Sequence, residues 1–350
     1  MADSSSGGVA ETKRHSFLVG FWTRLVKEKP LGIVGGIITL LLLLTGIFAD
    51  FIAPYGLNEI HIVDRLAPPS ARFWLGTDSL GRDVLSRVIF GARVSVIVGL
   101  AATTLATILS LIIGIVSGYI GGKLDLIVQR VVDTVMCVPG LILLMVLMII
   151  IGPGMWQVIV VLSLTLGFIG SRIIRSAVIG IKENVYVAAA AAIGCSTPRI
   201  LTRHILPNIM APAIILFTMR VPGIIMTEAS LSFLGLGIPP PLPSWGGMLS
   251  GSGRAYMMEA PWMAFWPGLA LATVVYGVNM FGDAVRDLLD PRLRGGVGHY
   301  GARKLIVASI RITSGNRVVN KTIVGAIILG RICRVSILGV EQPIATAACT

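Results

Sequence analysis

The sequence predicts an all-α integral membrane protein with six transmembrane helices. Three observations lead there. The 350 residues are 55% apolar and only 13% charged, with a mean hydropathy of +0.86. That is too little charge to cover a soluble surface of this size. Apolar runs able to cross ~30 Å of hydrocarbon at ~1.5 Å per residue recur along the chain. Lys and Arg are distributed unevenly between those runs, as topology in a bilayer requires.

Five runs are long enough by themselves: Leu31–Ala53, Ala92–Gly118, Val131–Ile151, Ile209–Gly235 and Trp262–Val285. A sixth, Met155–Gly170, is short. It becomes a span by continuing through Ser171–Arg175, with its arginines at the interface. Gly152-Pro153-Gly154 makes a tight hairpin between the third and fourth spans. With the N-terminus cytoplasmic, the inside segments carry 15 Lys and Arg and the outside segments 5. Both ends of the membrane domain are therefore expected on the cytoplasmic side, and the first apolar run is read as a retained helix. The chain divides into a cytoplasmic segment 1–30, a membrane domain 31–294 and a tail 295–350 that has no assignment.

The formal charge of +12 does not indicate nucleic acid, because the basic residues lie between apolar runs and not on one face. The four cysteines form no C-x-x-C pair, so neither a disulfide framework nor a zinc site is expected. In the first outside loop, Leu80, Val84, Leu85, Val88 and Ile89 share one helical face, with Asp83 and Arg87 on the other. This predicts a helix lying on the outer surface. Trp245, Trp262 and Trp266 have the composition of headgroup anchors.

The segment Lys182–Asn208 falls on the cytoplasmic side. Ala188–Ala192 is a run of the best helix formers. Asn184 can cap this helix and Gly194 can end it. Thr197-Pro198 opens a second short helix that Pro207 stops. Two short helices presenting small apolar residues suit docking into a groove of another protein. An ordinary loop between spans fits the same residues.

Tyr186-Val187-Ala188-Ala189-Ala190, then Gly194, then Leu206-Pro207 resembles the EAA loop of bacterial ABC importer permeases. Leu75–Arg87, Glu228–Gly237 and Asp290–Arg294 are similar to segments of the dipeptide/oligopeptide "C" permease. The resemblance spans roughly residues 17–295. It implies a six-helix type I ABC importer permease domain in a bacterial inner membrane. It also implies a second homologous permease, two ATP-binding cassette subunits and an extracytoplasmic solute-binding protein as partners, besides the lipid bilayer. By this resemblance Tyr186, Ala188, Ala189, Ala190, Gly194, Leu206 and Pro207 form the ATPase-coupling loop, 182–208. Ala188 stands where the family usually has Glu, which removes a charge able to pair with the ATPase. Family chains stop near the position of Arg294. The tail is then an added peripheral segment or the product of read-through or frame-shifted translation.

The chain carries no engine of its own. The P-loop pattern is absent, and Gly122-Lys123 is followed by Leu124. There is no H-E-x-x-H among the four histidines. No cofactor is expected in this chain, and ATP and Mg²⁺ fall to the ATPase partners. It is not expected to be an enzyme. The charges inside the fifth span, Arg220 and Glu228, are costly to bury. They could line a pathway for charged peptide ends. Equally, Glu228 could bond within the bundle and Arg220 with the partner permease. The expected function is import of di- or oligopeptides. Nickel, glutathione or another small solute fits the same architecture. An ATP-independent secondary transporter or channel would need an inverted repeat or ionisable relays, which the sequence does not display.

Overall fold

The computed structural model describes residue 25, residues 29–289 and three segments of the tail, Leu305–Ser314, Arg317–Ile328 and Arg331–Ile337. The chain forms two units, 1–289 and 290–350. The regular structure of the first is helical among the described residues, apart from one isolated bridge between Thr77 and Asp83. Five helices are long and apolar enough to cross a membrane: α1 (Pro30–Ile47), α3 (Val84–Ile120), α6 (Met155–Lys182), α9 (Leu206–Phe233, continuous with Thr197–Ile205) and α12 (Trp262–Leu289). A bent pair, α4 (Gly122–Cys137) and α5 (Gly140–Ile151), which meet at 94°, makes a sixth when the two are counted together as one span. Short helices complete the unit: α2 (Ala49–Ile52), α7 (Val185–Ala192), α8 (Thr197–Ile200), α10 (Trp245–Leu249) and α11 (Gly251–Ala255).

Several expectations are corrected here. The third span is not one straight helix over Val131–Ile151. Pro139 lacks the N–H that would continue the ladder, and it forces Val138 into an extended conformation (ψ 133°). The fourth span, by contrast, continues through Ser171–Arg175 as expected and runs on to Lys182, a helix of 28 residues. The outer amphipathic stretch is no separate surface helix. Asp83 caps α3 by accepting from the Ser86 N–H at 2.7 Å, and Val84–Ile89 are its first turns. Trp245 is no headgroup anchor: it is 2% exposed and donates its indole N–H to the Val88 carbonyl at 3.0 Å. Trp262 likewise donates to the Thr77 carbonyl at 3.2 Å.

Small residues let the helices approach, as expected where lipid supplies no hydrophobic drive between them. A Cβ at Gly114 of α3 would lie 2.7 Å from both the Ser171 carbonyl oxygen and the Ile174 Cβ of α6. A Cβ at Gly35 of α1 would lie 2.5 Å from the Gly277 carbonyl oxygen of α12. One buried cluster joins α3, α5, α6 and α9 through Val98, Met148, Leu162 and Ile224. A second, at the other end, joins Ile115 and Ile174 to Val187, Ala190, Ile200 and Ile209. Two ion pairs tie α4 to α6: Arg175 grips Asp125 with both arms at 2.6 and 2.5 Å, and Arg172 pairs with Asp133.

The tail, which the sequence left unassigned, forms a three-stranded antiparallel sheet over its described residues. Its strands are β1 (Leu305–Ser314), β2 (Arg317–Ile328) and β3 (Arg331–Ile337), in the order β1-β2-β3. Ser314 pairs with Arg317 and Ile328 with Arg331, so two residues connect each pair of strands. The all-α class describes the first unit.

Candidate coupling site

α6 runs to Lys182, and the chain turns at Glu183-Asn184 into α7. Asn184 is the N-cap residue, but its side chain makes no cap; its amide donates back to the Ile181 carbonyl at 3.0 Å. α7 stands on two buried side chains. Val187 and Ala190 enter the cluster formed by Ile174 and Val178 of α6 with Ile200, Ile205 and Ile209. Gly194 ends α7 in a Schellman motif: its N–H reaches the Ala191 carbonyl at 3.0 Å, and the Cys195 N–H reaches Ala190 at 3.1 Å. The motif needs a left-handed residue, and Gly194 has φ +82°.

The second helix does not stop at Pro207. After α8 the chain widens into a π-helical turn, Leu201–Ile205, and passes directly into α9. Pro207 sits in the first turn of α9, where its missing N–H is tolerated. The wider turn upstream accommodates a ring that would crowd the carbonyl four residues back. The helix therefore joins the coupling loop to the fifth span without a flexible linker.

The sequence-predicted loop residues fall into two sets. Tyr186, Ala188, Ala189, Gly194 and Pro207 are exposed; Ala190 is buried and Leu206 half-buried. The Tyr186 and His204 rings lie 6.5 Å apart, centroid to centroid. Two further residues, absent from the sequence-predicted set, dominate the outer face: Val185 is 84% exposed and Ile193 80% exposed. Their signal was available in the sequence, since large apolar residues flank the alanine run at both ends. Lys182 anchors the base of the loop by donating to the Tyr119 carbonyl at 2.6 Å. The result is a short helix held to the bundle by one face, with an exposed apolar outer face and no acid at position 188.

The two charges of the fifth span are not brought together. Glu228 is 1% exposed and accepts from Ser232 Oγ at 2.7 Å. Arg220 is half-buried and donates to the Leu166 carbonyl of α6 at 2.7 Å and to Ser110 Oγ of α3 at 3.2 Å.

Residues 110–295 match the family described as binding-protein-dependent transport system inner membrane component. The chain belongs to that family. It is a multi-pass permease subunit of an ABC importer, a class that works with ATPase and binding-protein partners. Residues 16–69 of the permease also match the N-terminal transmembrane domain of oligopeptide transport permease C. The permease is 38% identical over 269 residues to the oligopeptide transport system permease protein OppC of Bacillus subtilis (strain 168), covering 77% of this chain and 88% of that one. It is 38% identical, over the same shares of the two chains, to the dipeptide transport system permease protein DppC of Alkalihalophilus pseudofirmus. It is 40% identical over 276 residues to the glutathione transport system permease protein GsiD of Shigella flexneri serotype 5b, covering 79% of this chain and 90% of that one.

Proposed function

We propose that this permease imports di- and oligopeptides, forming half of the pathway beside a second homologous permease, with α7 and its flanks docked on an ATPase. Two ATPases drive the pair, and they hold the ATP and Mg²⁺; this chain contributes no catalytic group. The reading rests on one observation above the others. An apolar, protruding helix is seated directly on the ends of two spans, so a push on it must move them. Val185, Tyr186, Ala188, Ala189 and Ile193 form the contact, while Ala190 and Leu206 hold it to the bundle. Gly194 sets the angle at which the contact ends. Pro207 opens the helix that carries the motion onward. The Lys and Arg distribution supports a cytoplasmic position for this loop and for both ends of the membrane domain. ATP binding closes the ATPases, α7 follows, and the spans rock between outward and inward access.

The glutathione-named relative favours a second substrate, and glutathione is itself a peptide bearing free carboxylates. Both readings share the same coupling chemistry. Gly194→Asp tests the coupling assignment. The site has open space around it, so the bundle is expected to stay folded and inserted. The left-handed backbone is strained by about 1–2 kcal/mol, and a charge enters the contact. ATPase co-purification and substrate uptake should both be lost. Co-purification at the wild-type level would sink the assignment.

A further inference from the structure

Exposed surface on the spans is of two kinds. α1 presents Leu31, Ile37, Leu40, Leu41 and Ile47, a face suited to lipid. α9 differs. Its open side carries Arg220, Gly223, Thr227 and Ser230, alternating with Met219 and Met226. At ~100° per residue these six fall within a stripe of about 120°. A Cβ at Gly223 would meet nothing within 4 Å, so the stripe is open at its centre. Thr227 and Ser230 donate back to the Gly223 and Met226 carbonyls at 2.7 and 2.8 Å. Hydroxyls bonded in this way can face lipid, so they do not decide what lies opposite.

Arg220 decides it. It stands 14 residues after Leu206 and 13 before Phe233, roughly 20 Å from either end of α9 at ~1.5 Å per residue. That places it near the middle of the span, ~15 Å from either boundary of a ~30 Å hydrocarbon layer and beyond the reach of its own side chain. Its guanidinium has five N–H donors. The bonds to Leu166 and Ser110 occupy two of them. Among the described residues it makes no ion pair with Asp or Glu. The guanidinium also lies against Gly170 of α6, and a half-buried cation in a span, with three donors unpartnered and no counter-charge among the described residues, marks the edge of a water-filled passage. The two bonds hold the plane of the guanidinium and leave Nε and one N–H on each terminal nitrogen available to a carboxylate.

We propose that this stripe of α9 lines the translocation pathway and that Arg220 is an anion subsite for the carboxylate of the passing substrate. The inference rests on the importer reading. Glu228 is excluded from the subsite, being sealed in the bundle with Ser232 as its partner.

The test uses the complete importer in proteoliposomes, with trialanine and its C-terminal amide each supplied on the loaded binding protein. Arg220→Gln should lower trialanine uptake at least tenfold, with the loss for the amide at least fivefold smaller. Arg220→Lys should restore most of the trialanine rate. Equal losses for acid and amide, or no loss for the acid, would overturn the subsite. In a chain with its four cysteines replaced by Ser, Thr227→Cys and Ser230→Cys should react with a charged, membrane-impermeant thiosulfonate, and Leu40→Cys should not. Absence of labelling at 227 and 230 would overturn the pathway face. A wild-type importer that moves neither peptide would instead refute the peptide reading, and the labelling would still decide the face.

Discussion

Gly114→Val is the sharpest probe of how the bundle positions its coupling loop. A Cβ at Gly114 would lie 2.7 Å from the Ser171 carbonyl oxygen and the Ile174 Cβ, against about 3.4 Å for ordinary contact. The first is backbone and the second is fixed to it, so α3 and α6 must separate by about 0.7 Å. Two further methyl groups enlarge the gap. Overpacking of this kind costs about 1–3 kcal/mol. The helix propensity gained over Gly returns only roughly 0.3–0.5 kcal/mol. The net destabilisation is about 0.5–2.7 kcal/mol, or about 2- to 80-fold in the folding equilibrium. Gly180→Val on α6 is the control, since a Cβ there meets nothing within 4 Å. It should shift stability by less than about 0.5 kcal/mol. Reversible unfolding in mixed SDS micelles, followed by circular dichroism, separates the two. Should Gly114→Val unfold at the same SDS fraction as Gly180→Val, the crossing is not tight and the reasoning fails.

Gly246→Ala drives a Cβ into the Ala229 carbonyl oxygen of α9, displacing α10. The neighbouring Trp245, 2% exposed, should then shift its emission to the red in a chain whose other tryptophans are Phe; unchanged emission would show that α10 is not seated there. Asp125→Asn removes the carboxylate held by both arms of Arg175. A double-mutant cycle with Arg175→Gln should return a coupling toward ~1 kcal/mol, the upper range for partly exposed pairs. A coupling of zero would show that the Asp125–Arg175 pair does not help to hold α4 to α6, leaving Arg172–Asp133 and apolar contacts.

The apolar segments of the membrane unit were legible because lipid demands contiguous hydrophobicity over a known length. Their interruptions were less so. Val138-Pro139 stood in plain view, yet Val131–Ile151 passed the apolarity test as one run, and composition carries no angle. The π turn at Leu201–Ile205 was invisible, because i→i+5 bonding leaves no pattern of residue types. In the tail, no apolar run of the sequence reaches span length. β1 instead alternates Ile310-Arg311-Ile312-Thr313, a period of two that a length test does not detect. In the coupling loop, five alanines announced a helix but not its orientation. Alanine carries no contrast between inside and outside, so the burial of Ala190 and exposure of Ala188 and Ala189 follow from packing against Ile174 and Ile200. Arg220 was legible as a charge in a span. Its significance needed geometry, because a missing counter-ion is a fact about neighbours from α3 and α6.

One continuous helical path relates the loop to the charge. From Thr197 through the π turn to Phe233 the backbone is helical, so under the proposed docking a displacement of α8 would be carried along the helix to Arg220. Arg220 also bonds to α6 and α3, and α6 begins the same coupling loop from its other side. A rotation that separates α9 from α6 would stretch the bond to Leu166, while one that keeps them together would leave it intact. The guanidinium therefore reports the relative motion of the two spans that the loop joins. Its hold on a carboxylate should change with that motion: firm while Leu166 and Ser110 fix its plane, weaker once either is withdrawn. Release of substrate would then follow from the same displacement that the loop transmits, with no further switch required.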